Sequence, residues 1–162
     1  WPFYTTTQQA DFKAISGQAG WTLLATGWLP DGYKYQSVYY DAQNQLIFMT
    51  FSATRQLPNG NGLTETKSLT LTEALRNDLV PLEVAPETQV ESITVQGQQA
   101  AYALGAWDSQ FDQASGKMIA TWRSDLPVQN VFWQSGPVYL VLITDDPQVT
   151  KSDLVGIADS VK

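Results

Sequence analysis

The chain of 162 residues holds no cysteine and no histidine. Without cysteine there is no disulfide, no thiolate nucleophile and no iron–sulfur or thiolate-zinc site. Without histidine the usual general base and the commonest metal ligand are missing. Ser-His-Asp and Cys-His mechanisms are therefore excluded within this chain. Chemistry would rest on carboxylates, Tyr, Lys or Arg. A hard-cation site would need carboxylates alone, and no EF-hand-like spacing of acids occurs. The sequence assigns no catalytic residue, no metal ligand and no cofactor.

Charge is scarce as well. Charged residues make up 15% of the chain, against about 25% in an average globular protein. What charge there is runs acidic, with Lys+Arg 9, Asp+Glu 16 and a net charge of −7. Such a chain is repelled by phosphate backbones and by anionic lipid, so nucleic acid is not an expected partner. Nor does any apolar run approach the roughly 20 residues of a transmembrane helix. The chain starts at Trp1 with no Met and no leader-like segment. The reading is of a processed or excised piece whose upstream part holds a membrane anchor. Residues 1–7 read as a linker remnant and 8–162 as one domain, a length at which about 70% of the unfolded surface is buried.

Hairpins dominate what is present. The stretch Val131-Phe132-Trp133-Gln134-Ser135-Gly136-Pro137-Val138-Tyr139-Leu140-Val141-Leu142-Ile143 reads as two apolar strands around a tight turn. Gln96-Gly97-Gln98-Gln99 separates two further strand-like runs, Val90–Val95 and Ala100–Trp107. Leu29-Pro30-Asp31-Gly32 is a turn, with Pro30 presetting φ and Gly32 free to take positive φ. After it Tyr33, Tyr35, Ser37 and Tyr39 alternate onto one face of a strand. Gln45–Thr54 is apolar on both faces, which predicts a central strand covered on both sides. Ser68–Thr72 and Met118–Arg123 read as strands and Trp21–Ala25 as an edge strand. Glu73–Leu79 fits either a strand extension or one helical turn. Residues 55–66 and 108–116 read as polar loops. Gln8–Ser16 is either a short helix or an irregular arm. Thr150 and Asp153 resemble a capping box, followed by the stripe Leu154, Ile157, Ala158 and Val161 of a closing helix. The fold class is α+β: an antiparallel sheet of hairpins with the C-terminal helix packed on one face.

Leu29-Pro30-x-Gly32-Tyr33-x-Tyr35, the hairpin around Gly97, Trp133, Gly136 and Tyr139, and the closing Asp153-Leu154-x-x-Ile157-Ala158-x-Ser160-Val161 form a pattern. It is similar to an uncharacterised extracytoplasmic domain at the C-terminal end of bacterial membrane proteins. Those proteins are anti-sigma-factor-like or lipoprotein-carrier-like. The resemblance covers roughly residues 20–162. It implies a membrane span upstream and an outward-facing domain, and it brings no catalytic residues.

Six Trp and seven Tyr stand out in so small a chain. Their flat rings with a polar edge suit sugars, peptides or apolar ligands, and equally suit a small core. The candidate binding residues are Trp28, Tyr33, Tyr35, Tyr39, Trp107 and Trp122. Paired acids support glycoside hydrolysis only when held about 5–9 Å apart. Asp108 with Asp112, and Asp145 with Asp146, otherwise read as ordinary turn residues. Three functions follow. The first is a noncatalytic sensor or interaction domain, monomeric, membrane-tethered and meeting an unknown protein, peptide, lipid or glycan. The second is a carrier-like module with a cavity between sheet and terminal helix, lined by Leu140, Leu142, Leu154 and aromatics. The third is a carboxylate-dependent hydrolase using Asp108 and Asp112.

Overall fold

A computed structural model describes residues 3–57, 62–75 and 89–162. The Pro58–Asn61 part of the Asn/Gly loop, Arg76 and the stretch around Pro81 and Pro86 lie outside the described residues. The elements are α1 (Thr6–Ala19), β1 (Lys34–Asp41), β2 (Leu46–Gln56), β3 (Thr64–Ala74), β4 (Val90–Val95), β5 (Gln98–Leu104), β6 (Ala106–Asp112), β7 (Lys117–Arg123), β8 (Gln129–Ser135), β9 (Val138–Thr144) and α2 (Lys151–Ser160). Among the described residues seven strands form one antiparallel sheet in the order β1-β2-β3-β9-β8-β5-β4, and β6 pairs only with β7. The class is α+β.

Register sorts the side chains into two faces, because cross-strand partners point the same way. Ile47, Met49 and Phe51 oppose Glu73, Leu71 and Leu69, which oppose Leu140, Leu142 and Thr144. This face is the core, and its leucines, Ile47, Met49 and Phe51 are fully buried. α2 lies on it through Leu154, Ile157, Ala158 and Val161. Thr150 and Asp153 form the capping box at its start. At its end Gln96, in the β4–β5 turn, donates its side-chain amide to the carbonyls of Ala158 and Val161. Ala158 O also accepts from Val161 N–H at 3.3 Å, and the turn's amide adds a second bond there and satisfies Val161 O, so the turn reinforces the helix's C-terminal end. Gln96 and Gly97 both have positive φ, as a two-residue hairpin turn demands.

α1 is longer than the Gln8–Ser16 expectation. Thr5 caps it with Gln8 in a capping box, and Gly20, in the left-handed region, ends it. Within residues 3–7, read as linker, Thr5 caps α1, Thr6 and Thr7 begin it, and Tyr4 packs into the core. Tyr4 is buried and meets Phe12 edge-on at 4.7 Å. Phe12 and Tyr35 are 5.5 Å apart, and Tyr35 reaches Phe51 at 6.3 Å. The helix therefore buries its one deep residue, Phe12, in a nest of rings.

Trp21–Ala25 is not a strand. It crosses the core face as irregular backbone, and its N–H groups find side-chain partners. Leu23 N–H donates to Ser16 Oγ at 2.9 Å, and Leu24 N–H to Glu73 Oε1 at 3.0 Å. Ala25 and Lys162 exchange backbone bonds in both directions. Ser160 Oγ accepts from the N–H of Gly27 and of Trp28, both at 3.1 Å. A buried backbone without a ladder must find such partners, and these polar side chains supply them.

Candidate functional site

Three sequence expectations about the sheet fail for one reason each. First, β2 is covered on one face only: Ile47, Met49, Phe51 and Ala53 are buried, while Leu46, Phe48, Thr50 and Ser52 are half-exposed. Second, β1 carries an irregularity between Tyr35 and Ser37 that breaks the alternation. An extra residue flips the following side chains to the other face. Tyr35 therefore faces the core, whereas Ser37 and Tyr39 face away from it. Third, residues 108–116 are mostly strand, not loop. Trp107, Ser109 and Phe111 alternate with Asp108, Gln110 and Asp112 in β6.

These three departures build one feature. On the face opposite the helices, Tyr39 opposes Phe48, Phe48 opposes Thr72, Thr72 opposes Val141, Val141 opposes Phe132, and Phe132 opposes Ala101. The row crosses six strands, about 24 Å at the usual inter-strand spacing. Tyr39 and Phe48 stack at 5.7 Å with their planes 12° apart. Leu46 and Ile143 flank the row, and the β6–β7 hairpin stands over it. There Trp107 and Trp122 meet edge-on at 5.6 Å. The result is an open apolar groove of about 390 Å³, lined on the sheet by Leu46, Phe48, Val141, Phe132 and Ile143, and on the hairpin by the two indoles.

The hairpin's base is held by polar groups. Gly105 joins β5 to β6 with φ +116, and its N–H donates to Val128 O at 2.8 Å. A Cβ there would lie 2.6 Å from Arg123 O and 2.7 Å from Trp122 Nε1. Only glycine fits this joint. Buried Asn130 donates its amide to Ala103 O at 3.3 Å and Gly105 O at 2.8 Å. Its amide N–H₂ is thus spent on the scaffold.

The six aromatic candidates divide evenly. Tyr39, Trp107 and Trp122 border or line the groove. Trp28 lies against α2, where Gly156 has no Cβ to keep the indole away. Tyr35 belongs to the ring nest beside α1. Tyr33 is buried and donates to Asp146 Oδ2 at 3.0 Å, with Arg55 over its ring at 5.2 Å. Burial pushes its hydroxyl up to about 12. Missed by sequence reasoning were the sheet residues Leu46, Phe48, Phe132, Val141 and Ile143. For Leu46 and Phe48 the signal is a strand apolar on both faces, which the sequence reading takes as doubly covered; Phe132, Val141 and Ile143 lie in the apolar hairpin that it takes as scaffold.

The acids are occupied elsewhere. Asp146, read as a turn residue, is fully buried and accepts from Arg55 Nε at 2.8 Å and Gln148 N–H at 2.9 Å. Burial acts to raise its carboxyl, yet the bonds from Gln148, Arg55 and Tyr33 hold it below the ordinary range. Asp108 and Asp112 sit on one face of β6. Asp108 meets Arg123 at 3.5 Å, and Asp112 accepts from the N–H groups of Ala114 and Ser115. The hydroxyl and N–H groups of that turn lower the Asp112 carboxyl, the opposite of what a general acid needs. Glu73 is the acid that burial pushes up, to about 8. Its partners are the N–H of Leu24 and the indole of Trp21, not a second acid. No cluster of acids able to hold a metal occurs among the described residues.

The expected cavity between sheet and terminal helix is filled. Leu140, Leu142 and Leu154 are fully buried in one continuous core. A larger hollow of about 730 Å³ runs between Glu91, Tyr102, Leu104 and Trp122. Two of its polar groups are paired with neighbours outside the lining: Glu91 with Lys151, and Tyr102, which donates to Gln129 at 3.0 Å. No family model, no curated protein and no solved structure matches this chain.

Proposed function

We propose that this protein is a noncatalytic binding domain that holds a single aliphatic chain against the open face of its sheet. One observation carries the reading. The row from Phe48 to Phe132 and the two indoles above it make a groove that, among the described residues, no charged side chain lines, Thr72 and Asn130 being its polar members. A sugar or a peptide needs directional hydrogen-bond partners, and an apolar chain needs none. The setting we propose is extracytoplasmic, with the domain tethered to a membrane and ligand capture reported to the tethered remainder. The resemblance of its sequence pattern to extracytoplasmic domains of anti-sigma-factor-like proteins supports that setting, and the lack of Cys and His supports a noncatalytic role.

The test is quenching of indole fluorescence by bromine-labelled hexadecanoate. Saturation at one chain per protein, with competition by the unlabelled acid, is the expected result. Phe48→Ser, at a half-exposed position, should weaken binding by about tenfold, or about 1.4 kcal/mol, with circular dichroism unchanged. Quenching that never saturates, or equal affinity in that variant, refutes the reading.

A further inference from the structure

The β6–β7 hairpin is an amphipathic ribbon. Trp107 opposes Trp122, Ser109 opposes Ala120, and Phe111 opposes Met118, all on one face. Asp108, Gln110, Asp112, Lys117, Thr121 and Arg123 occupy the other, with Ala106 and Ile119 as its two apolar members. An isolated two-stranded ribbon that exposes an apolar face is marginal in water. Yet Phe111 is 62% exposed, Met118 63% and Trp107 41%. The ribbon pairs with no strand of the large sheet. Its apolar face begins at the indoles that line the groove, so ribbon and groove form one apolar surface.

We propose that this ribbon is a membrane-docking element whose outer end, at Phe111 and Met118, enters a bilayer of neutral lipid. The charges of residues 106–123 cancel, Asp108 and Asp112 against Lys117 and Arg123. The whole chain, at −7, is repelled by anionic headgroups. Together these select an electrically neutral surface. Trp at the inner end and Phe and Met further out match the interfacial preference of indoles and the deeper preference of fully apolar side chains. Amphipathic elements bind interfaces in proportion to the apolar area they bury, and the ribbon applies the same rule in a strand geometry. What the docked ribbon delivers, a lipid chain entering the groove, rests on the function proposed above. The docking itself does not.

The experiment is co-sedimentation with phosphatidylcholine vesicles, with and without added phosphatidylserine. Wild-type protein should pellet with neutral vesicles, and less with anionic ones. The pair Phe111→Ser and Met118→Ser should lower the partition coefficient by about tenfold or more while labelled hexadecanoate still binds. Phe48→Ser should do the reverse. Failure of wild type to pellet overturns the docking. So does equal pelleting of the tip variant, or stronger pelleting with anionic vesicles. Concentration-dependent self-association that the tip variant abolishes would assign the ribbon to a second copy and overturn it too. Vesicle binding without chain binding would refute the groove reading alone.

Discussion

Glu73 offers the sharpest test of the packing. It sits on the core face between Ile47 and Leu140, with no exposed surface and no cation among the partners described. Burial raises its carboxyl from 4.5 to about 8. The native state therefore holds a proton that the unfolded chain has released, and stability falls as pH rises through that window. The full contribution is present below the unfolded value and is lost by the time pH exceeds 8. Each pH unit costs about 1.4 kcal/mol, so about 3 kcal/mol is lost by pH 7 and about 5 kcal/mol in all. Against a total stability of about 5–15 kcal/mol that loss is large. With no histidine in the chain, little else titrates between pH 5 and 8.5. Glu73→Gln keeps an oxygen for Leu24 N–H but buries an amide N–H₂ that lacks an acceptor, a cost of about 1–2 kcal/mol. Urea unfolding at pH 5, 6, 7, 8 and 9 should show a steep fall for wild type and a flat profile for the variant. The two curves cross, and the variant is the more stable at pH 9. Parallel profiles would refute the reasoning.

Gly105→Ala should destabilise by about 1–3 kcal/mol, because its Cβ meets Arg123 O and Trp122 Nε1; a changed Trp emission should accompany the shift in urea midpoint, and an unshifted midpoint counts against this joint. Arg55→Met leaves Asp146 buried and unpaired and should cost about 3 kcal/mol, with much of it recovered in the double variant Arg55→Met/Asp146→Leu. Additive losses in that cycle would contradict the pairing. The depressed Asp146 carboxyl contributes stability above its unfolded value of 3.8 that is lost as pH falls through its lower folded value. The acid limb of wild type should therefore lie below pH 4 and be shallower in Asp146→Asn, as measured by acid unfolding.

What the sequence made legible was local. The β8–β9 and β4–β5 hairpins and α2 announce themselves through turn residues, alternation and a capping box within a few positions. What it hid was tertiary. An apolar run such as Trp21–Ala25 looks the same whether it pairs in a ladder or crosses one, and Glu73, far along the chain, decides the matter by accepting from Leu24. The irregularity in β1 leaves no mark on the alternation, so in the sequence Tyr39 falls on one face with Tyr33 and Tyr35. β6 escaped because Asp, Ser and Gln are poor strand formers, and only its pairing with Met118–Arg123 makes it one. The groove was half legible: Trp107, Trp122 and Tyr39 were named for their rings. Leu46 and Phe48 read as buried because apolar character on both faces signals two covers, whether the second is protein or ligand.

The sheet order also sets how the chain assembles. β1, β2 and β3 are sequential neighbours, and β4, β5, β8 and β9 form a second group closed by short connections apart from the β6–β7 insertion. A single seam joins them, β3 with β9, where Leu69 meets Thr144 and Leu71 meets Leu142. Closing that seam brings together residues from opposite halves of the sequence, and such distant pairing is the slow step in β-rich proteins. During synthesis β3 emerges long before β9. Until then its edge stands open, with the leucines of its core face still wet, the condition under which strands pair with the wrong partner. Substitutions along the seam, Leu71→Ala or Leu142→Ala, should therefore lower soluble yield out of proportion to their effect on equilibrium stability, and refolding kinetics would expose an exception.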